Sequence, residues 1–227
     1  MPFPDLPDRL RDVREKIDAA VRRGGHGQAV TIVAVTKTHG ADAVQAAWDV
    51  GLRDVGENRI QEALPKIDLT SVPVRWHLIG HLQRNKAKAV RRFHLLHSLD
   101  SGRLADAIHD IGFAEQRPID ALVQVNVVGE DTKGGFPRTE WAREAERMRQ
   151  LTGIRVRGVM TMAPLDADES ILRTVFAGAR EARNVLCKAG HDATELSMGM
   201  SNDYEIAVEE GATLVRLGTI LFGARPA

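Results

Sequence analysis

Apolar positions along the chain first recur at helical spacing and then fall into short uninterrupted runs. The residues that recur three or four positions apart are Leu6, Leu10, Val13, Ile17 and Val21. This spacing predicts an amphipathic helix, which Gly24-Gly25 ends. Each later run has the length of a strand that is buried on both faces, as in a parallel sheet. The predicted strands cover residues 30–36, 52–55, 76–79, 95–99, 121–127, 156–162, 195–198 and 214–217.

A helical stretch follows each predicted strand. These stretches cover residues 41–50, 58–67, 84–91, 102–111, 138–151, 169–189, 203–209 and 219–222. Eight strand-then-helix units predict an α/β fold, a single (β/α)8 TIM barrel with an extra N-terminal helix. Because the second and seventh strands and the last helix are short, a doubly wound open sheet is the competing architecture. No linker or low-complexity segment interrupts the pattern, which predicts one domain over residues 1–227.

The composition limits the possible partners. The chain has 227 residues with 31 basic and 31 acidic side chains, so no net charge attracts it to nucleic acid or to an anionic membrane. Its single cysteine, Cys187, fits a reducing compartment. The amino terminus has no apolar signal core, and the longest apolar run, 29–35, is too short to span a membrane. We therefore expect a cytoplasmic protein that binds neither nucleic acid nor membrane.

Lys37 stands directly after the first predicted strand. In a barrel, the chemically active side chains gather at the carboxyl ends of the strands. A lysine at such a position is placed to lose its charge by desolvation and to act as an amine nucleophile. The alternative is a lysine whose ammonium group extends to solvent from the end of a strand. The first strand alone does not decide between them.

The last two strands lead into loops that are suited to an anion. Gly218-Thr219 follows the final strand and opens a helical turn, and the preceding loop, 197–201, supplies Ser197, Ser201 and a glycine. Glycine lets the backbone approach a ligand, and a phosphate often lies near the loops after the last strands of a barrel. The alternative is that Ser201 or Asn202 caps the following helix.

Five ordered motifs carry a resemblance to a known family. They are VAVTKT at 33–38, GEN at 56–58, WHLIGHLQRNK at 76–86, SMGMS at 197–201 and VRLGTILFG at 215–223. Taken together, they resemble the pyridoxal phosphate homeostasis protein family, whose members are relatives of the amino-terminal barrel of alanine racemase. The resemblance covers the chain from the first helix to Gly223.

The resemblance implies a cofactor, pyridoxal 5′-phosphate (PLP), and a role in binding, buffering and delivering it. The implied partners are PLP and, for delivery, PLP-dependent apo-enzymes. In this family a lysine binds PLP as a Schiff base, hydroxyls and a glycine hold the phosphate, and an arginine faces the pyridine nitrogen. The matching residues are Lys37 for the Schiff base, Ser201, Gly218 and Thr219 for the phosphate with Ser197 as a neighbour, Arg216 for the nitrogen, and Asn58 near the ring.

Arg216 at the pyridine nitrogen disfavours efficient catalysis. A carboxylic acid would keep that nitrogen protonated, whereas an arginine stays charged and only donates hydrogen bonds. Racemisation also needs a second base, and the only tyrosine, Tyr204, is more consistent with packing. We therefore predict a monomeric PLP carrier without catalytic residues. The alternatives are a slow amino-acid racemase and a Schiff-base aldolase acting on a phosphosugar.

Three other groups of residues have side chains that could bind a ligand. His77 and His81 are four residues apart, a spacing that can bind zinc when both lie on one helix. Here His77 lies in a predicted strand and His81 in the loop after it, so the two rings would not share a helical face and we predict no metal site. The basic run 84–92 is interpreted as a solvated helix face. Lys133-Gly134-Gly135 follows the fifth strand and is equally consistent with a cover for the pocket and with a surface loop.

Overall fold

Eight parallel strands close into a barrel in the computed structural model, which describes residues 2–129 and 134–223. The strands are β1 Thr31–Val35, β2 Asp54–Glu57, β3 Arg75–Leu78, β4 Leu95–Leu99, β5 Ile119–Asn126, β6 Phe136–Pro137, β7 Ile154–Met160, β8 Glu195–Ser197 and β9 Leu214–Leu217. Strand β1 pairs with both β2 and β9, and β4 pairs with β5, so the ring has no open edge there. The short strand β6 pairs with β5 and lies outside the ring. The predicted barrel is confirmed, and the open sheet is excluded.

Helices surround the barrel and alternate with its strands. They are α1 Leu6–Gly24, α2 Ala41–Asp49, α3 Ile60–Leu69, α4 Gly102–Ala114, α5 Trp141–Arg149, α6 Glu169–Lys188, α7 Tyr204–Glu209 and α8 Thr219–Phe222. The helix predicted over 84–91 is a 3₁₀ helix, Arg84–Arg92, and a second short one, Arg138–Glu140, precedes α5. No described helix has both the length and the apolar character that crossing a membrane requires.

The predicted position of the second strand was wrong by two residues. The apolar run 52–55 predicted it, but β2 is Asp54–Glu57 and includes two acidic residues. Both are buried because basic partners neutralise them: Asp54 pairs with Arg75, and Glu57 pairs with Lys66. A pattern of apolar residues does not reveal such pairs.

Two apolar clusters hold the layers together. The larger one lies between the strands and the surrounding helices. The smaller one is separate and takes one residue from each of five strands, as expected for the interior of a barrel. Its members are Val33, Leu95, Leu122, Met160 and Leu214. Interior space that these side chains do not fill is occupied by polar groups, which are described below.

The extra helix α1 packs against α7 and α8, next to the last strands of the barrel. Its end requires glycine because a Cβ at Gly24 would lie 2.3 Å from the carbonyl oxygen of Glu209. Arg23 also donates to the Glu209 carboxylate at 2.5 Å. The amino-terminal helix is thereby attached to the part of the barrel that carries the two predicted phosphate loops.

Candidate functional site

A cavity of about 760 Å³ lies at the carboxyl ends of the barrel strands. This volume falls in the range of small-molecule and cofactor sites. All residues predicted from the sequence to bind the cofactor, except Ser197, line it. They are Lys37, Asn58, Ser201, Arg216, Gly218 and Thr219. The cavity therefore brings together an amine, an amide, two hydroxyls and a guanidinium group that are far apart in the sequence.

Lys37 follows β1 after a single residue and is half-buried in the cavity wall. The preceding residue, Thr36, is fully buried and is held by two neighbours. Its hydroxyl donates to Oε1 of Glu57 at 2.6 Å, and the Lys66 ammonium donates to its carbonyl oxygen at 2.8 Å. The following residue, Thr38, has a φ of 70°. Lys37 thus lies between an anchored strand end and a sharp turn.

Glu57 and Lys66 form a buried ion pair beside this strand end. The Lys66 ammonium lies 2.6 Å from Oε1 of Glu57, and the two side chains are 7% and 0% exposed. The other carboxylate oxygen, Oε2, has no hydrogen-bond partner in the described part of the chain. Glu57 therefore binds Thr36 and Lys66 at the end of β1 and does not cap α3, which begins three residues later.

The loop after β8 is fixed by backbone geometry and by two side chains. Gly199 has a φ of 93°, and a Cβ there would lie 2.7 Å from the Cβ of Ala207, so glycine is required. Oδ1 of Asp203 accepts from the Met200 N–H at 2.5 Å. The hydroxyl of Ser201 accepts from the Ile220 N–H at 3.4 Å and connects this loop to α8. Ser201 therefore contacts the helix after the last strand and not the N-terminus of α7.

Gly218 lines the cavity between β9 and α8. Its φ of −118° is open to any residue, and an added Cβ would meet Val35 only at an ordinary distance of 3.4 Å. Packing against the protein therefore does not require glycine at this position. What glycine provides is bare backbone on the cavity wall, next to the exposed Thr219.

Arg216 is the buried cation of the site, with 5% of its surface exposed. Its guanidinium donates to the hydroxyl oxygen of Ser197 at 2.7 Å and to the carbonyl oxygen of Thr161 at 2.9 Å. Burial lowers the pKa of Arg216 to about 10, and the nearby Asp203 carboxylate partly opposes this shift. At neutral pH the group remains a cation, and both of these acceptors are neutral.

Ser197 lies beneath Arg216 and continues into a chain of buried hydrogen bonds through the barrel. Its hydroxyl lies 2.8 Å from Nδ1 of His97, whose Nε2 lies 2.8 Å from Nδ1 of His77. Nε2 of His77 in turn lies 2.9 Å from Oδ1 of Asp54 at the start of β2. These contacts connect the cavity to the amino ends of the strands. Ser197 reaches the cavity only through Arg216.

The chemistry of the two ends gives this chain a direction. Arg216 only donates, so Ser197 accepts from it and donates its own proton to His97. Burial, and then the charges of His77 and Arg216, lower the pKa of His97 well below its usual value, which keeps that ring neutral. Burial alone would raise the pKa of Asp54, but hydrogen bonds from His77 and Arg75 lower it to about 2. The chain therefore runs from the Arg216 cation, through Ser197 and the neutral His97 ring, to the Asp54 anion.

The mouth of the cavity carries a second titratable pair. Nδ1 of His81 lies 2.7 Å from Oδ2 of Asp100, and both residues line the cavity. His81 therefore lies at the cavity, whereas His77 is buried in the barrel. Gly134 also lines the cavity, whereas Lys133 lies outside the described residues.

The basic run 84–92 is partly neutralised on the surface. Arg91 forms an ion pair with Glu115, and Arg92 forms one with Asp68 at 2.6 Å. Lys86 lines a second, smaller cavity of about 370 Å³ next to the first. The interpretation of this run as a solvated helix face fits these contacts.

Comparison with known proteins identifies the family. The model of the alanine racemase N-terminal domain matches residues 9–226. The pyridoxal phosphate homeostasis protein of Aquifex aeolicus is 40% identical over 222 residues, covering 96% of this chain and 97% of its own length. That of Escherichia coli K12 is 37% identical over 231 residues, covering 97% of both chains. The chain belongs to the pyridoxal phosphate homeostasis protein family.

A solved structure of a full-length relative supports the fold. PipY of Synechococcus elongatus PCC7942, determined with PLP bound, is 35% identical and matches with a TM-score of 0.85, covering 96% of this chain and 100% of that one. Its structure without PLP matches with a TM-score of 0.86. The chain therefore shares the fold of PipY.

Several groups of the site were not identified from the sequence. His97 and Asp54 read as strand residues, and Lys66 read as a polar position on a helix. Their partners lie far away along the chain, and no local spacing links them. The one available signal was a charged or titratable residue inside a predicted core strand.

Proposed function

We propose that this chain binds PLP as a Schiff base on Lys37 and acts in intracellular PLP homeostasis by buffering and delivering the cofactor. The observation that carries the proposal is the single cavity lined by Lys37, Arg216 and the two hydroxyl-bearing loops. PipY, which shares the fold and binds PLP, supports it.

The residues of the cavity fit PLP in size and in charge. Lys37 provides the amine that an aldehyde requires, and Ser201 and Thr219 provide hydroxyl donors for a phosphate. Bare backbone at Gly218 leaves room for that phosphate. Arg216 provides buried positive charge, which favours an anionic ligand. Asn58, half-buried in the same wall, would lie near the ring.

The surroundings of Arg216 favour retention of PLP over catalysis. When bound, PLP supplies a pyridine ring that withdraws electrons most strongly if its nitrogen is protonated. Arg216 remains a donor at neutral pH, and Ser197 and Thr161 hold two of its N–H groups. A guanidinium at the ring nitrogen cannot accept a proton and so leaves that nitrogen unprotonated. Ser197 therefore acts by orienting Arg216.

A slow amino-acid racemase is the second candidate. The observation that favours it is the His81–Asp100 pair, a titratable pair in the cavity that also holds Lys37. Tyr204 does not line that cavity, and burial followed by the charge of Glu205 raises its pKa to about 12. In the described part of the chain, His81 is therefore a better second base than Tyr204.

Deuterium exchange and cofactor binding separate the two candidates. The proposal predicts a yellow protein that binds PLP, with binding abolished in Lys37→Ala and unchanged in Lys86→Ala, a lysine of the neighbouring cavity. It also predicts no useful exchange at the α-carbon of amino acids. Exchange that both Lys37→Ala and His81→Ala abolish would instead establish the racemase. Failure of the wild-type protein to bind PLP would contradict both.

The organisation of the molecule is part of the proposal. We expect one domain over residues 1–227, a monomer in solution and a cytoplasmic location. Delivery to PLP-dependent apo-enzymes requires that bound PLP leaves the protein. Transfer to an apo-enzyme faster than spontaneous dissociation would support direct delivery.

A further inference from the structure

The buried ion pair between Lys66 and Glu57 also forms hydrogen bonds to Thr36, the residue before Lys37. Burying two charges costs desolvation, and apolar side chains replace such pairs in several proteins without loss of stability. This pair is nonetheless placed beside the strand end that carries Lys37. The groups that it contacts indicate what it does.

Every backbone and side-chain polar group of Thr36 is held by this pair or by β2. Its N–H donates to the carbonyl of Gly56 at 3.1 Å. Its hydroxyl donates to Glu57 at 2.6 Å, and its carbonyl accepts from Lys66 at 2.8 Å. The residue directly before Lys37 is therefore fixed at three atoms.

The turn after Lys37 closes on the same carbonyl. The His39 N–H donates to the carbonyl oxygen of Thr36 at 3.1 Å. Between them, Thr38 adopts a φ of 70°, which is unfavourable for a β-branched residue. A conformation of this kind persists when its surroundings hold it in place. Lys66 is the side chain that holds the carbonyl on which the turn depends.

We propose that Lys66 and Glu57 are positioning residues for Lys37. By anchoring Thr36, they fix the turn over residues 36–39 and direct the Lys37 side chain into the cavity. The inference rests on the proposed function, in which Lys37 binds PLP. A single oxygen of Glu57, Oε1, accepts from both Thr36 and Lys66, so the ion pair and the anchor of the strand end share one atom.

Hydrogen exchange in the PLP-free protein tests the positioning directly. Lys66→Met should increase exchange over residues 36–40 several-fold while the strands remain protected. Arg147→Met is the matched control, since Arg147 also joins a buried carboxylate, Glu144, to a backbone carbonyl, that of Gly102. It lies on other elements and should leave residues 36–40 unchanged. Unchanged exchange over 36–40 in folded Lys66→Met would overturn the proposal.

PLP uptake provides the second measurement. Misplacing a reactive group by about 1 Å costs up to roughly 100-fold in rate, so we expect uptake by Lys66→Met to slow at least tenfold. Arg147→Met should stay within twofold of wild type.

If Lys66→Met does not fold, Thr36→Val should slow uptake, whereas Thr36→Ser, which keeps the hydroxyl, should take up PLP at the wild-type rate. Equal rates for Thr36→Val and Thr36→Ser would contradict the proposal. A wild-type protein that takes up no PLP would refute the proposed function, while the exchange data would still decide the anchoring of the turn.

Discussion

The hydroxyl of Ser201 has two possible tasks, because it both lines the cavity and accepts a hydrogen bond from Ile220. If it also binds the phosphate, Ser201→Ala should weaken PLP retention by about 1–2 kcal/mol, or roughly tenfold. Ser101→Ala is a matched control, since Ser101 accepts from the Leu104 N–H at the same 3.4 Å but does not line the cavity. Equilibrium dialysis of PLP checks both variants. Wild-type retention in Ser201→Ala would assign the hydroxyl to the helix alone.

The ring of His97 reports the direction of the buried hydrogen-bond chain. Because burial lowers its pKa, its ring should stay neutral and not titrate near pH 6.5. Donation from Ser197 to Nδ1 requires the tautomer with hydrogen on Nε2. Nitrogen-15 NMR of labelled histidines checks both statements, and Ser197→Ala should broaden or shift the Nδ1 signal. A His97 ring that titrates near pH 6.5 would contradict the assigned direction.

The loop between β8 and α7 depends on Gly199, which combines a positive φ with a tight contact. Gly199→Ala should destabilise the protein more than Gly27→Ala, where φ is also positive, at 66°, but nothing lies near the added methyl. For Gly27→Ala the conformational cost alone is about 1 kcal/mol. Because the loop carries Ser201, Gly199→Ala should also weaken PLP retention. Chemical denaturation with dialysis checks this, and equal losses of stability for the two variants would contradict it.

The sequence predicted most elements well where burial is apolar and less well where it is polar, although the apolar strand β7, Ile154–Met160, also begins and ends two residues before the predicted 156–162. Strands β4 and β9 have the predicted limits because their flanking residues are clearly polar or glycine. Strand β2 was misplaced because long-range ion pairs bury its acidic ends. The two-residue strand β6 was missed, since Phe136-Pro137 has neither the length nor the alternation of a strand.

The hydrogen-bond chain from Arg216 crosses the barrel and ends at Asp54, at the amino ends of the strands. Acid should therefore destabilise the protein by protonating Asp54. The pKa of Asp54 is about 2 in the folded protein and near 4 when unfolded. A lowered pKa stabilises the fold above the unfolded value, and this contribution is lost as pH falls through about 4 to 2. The expected loss is about 2 kcal/mol.

Asp54→Asn should therefore remove most of this acid sensitivity. Unfolding free energies measured between pH 6 and pH 2 check the prediction. Asp120→Asn is the control, since Asp120 pairs with Arg155 at the same end of the barrel but is more exposed, at 22%. The same acid dependence in Asp54→Asn and wild type would contradict the account.

For the molecule as a whole, the sequence predicted which residues line the cavity but not which buried residues hold those side chains in position. Lys37, Arg216 and Ser201 were found because motifs at strand ends converge in a closed barrel. Ser197 belongs to the same motifs, yet it lies beneath Arg216, because it is the buried last residue of β8 and its hydroxyl accepts from the Arg216 guanidinium. The support from His97 and Lys66 depends on tertiary contacts that no motif records.

Borohydride reduction followed by peptide mapping tests the central claim most directly. The purified protein is incubated with PLP, reduced, digested and analysed by mass spectrometry, with Lys37→Ala and Lys86→Ala treated in parallel. The account predicts one phosphopyridoxyl group on Lys37, loss of visible absorbance on reduction, no adduct in Lys37→Ala and a normal adduct in Lys86→Ala. A phosphosugar in place of PLP should give no adduct. Labelling of another lysine, or equal labelling of wild type and Lys37→Ala, would contradict the account.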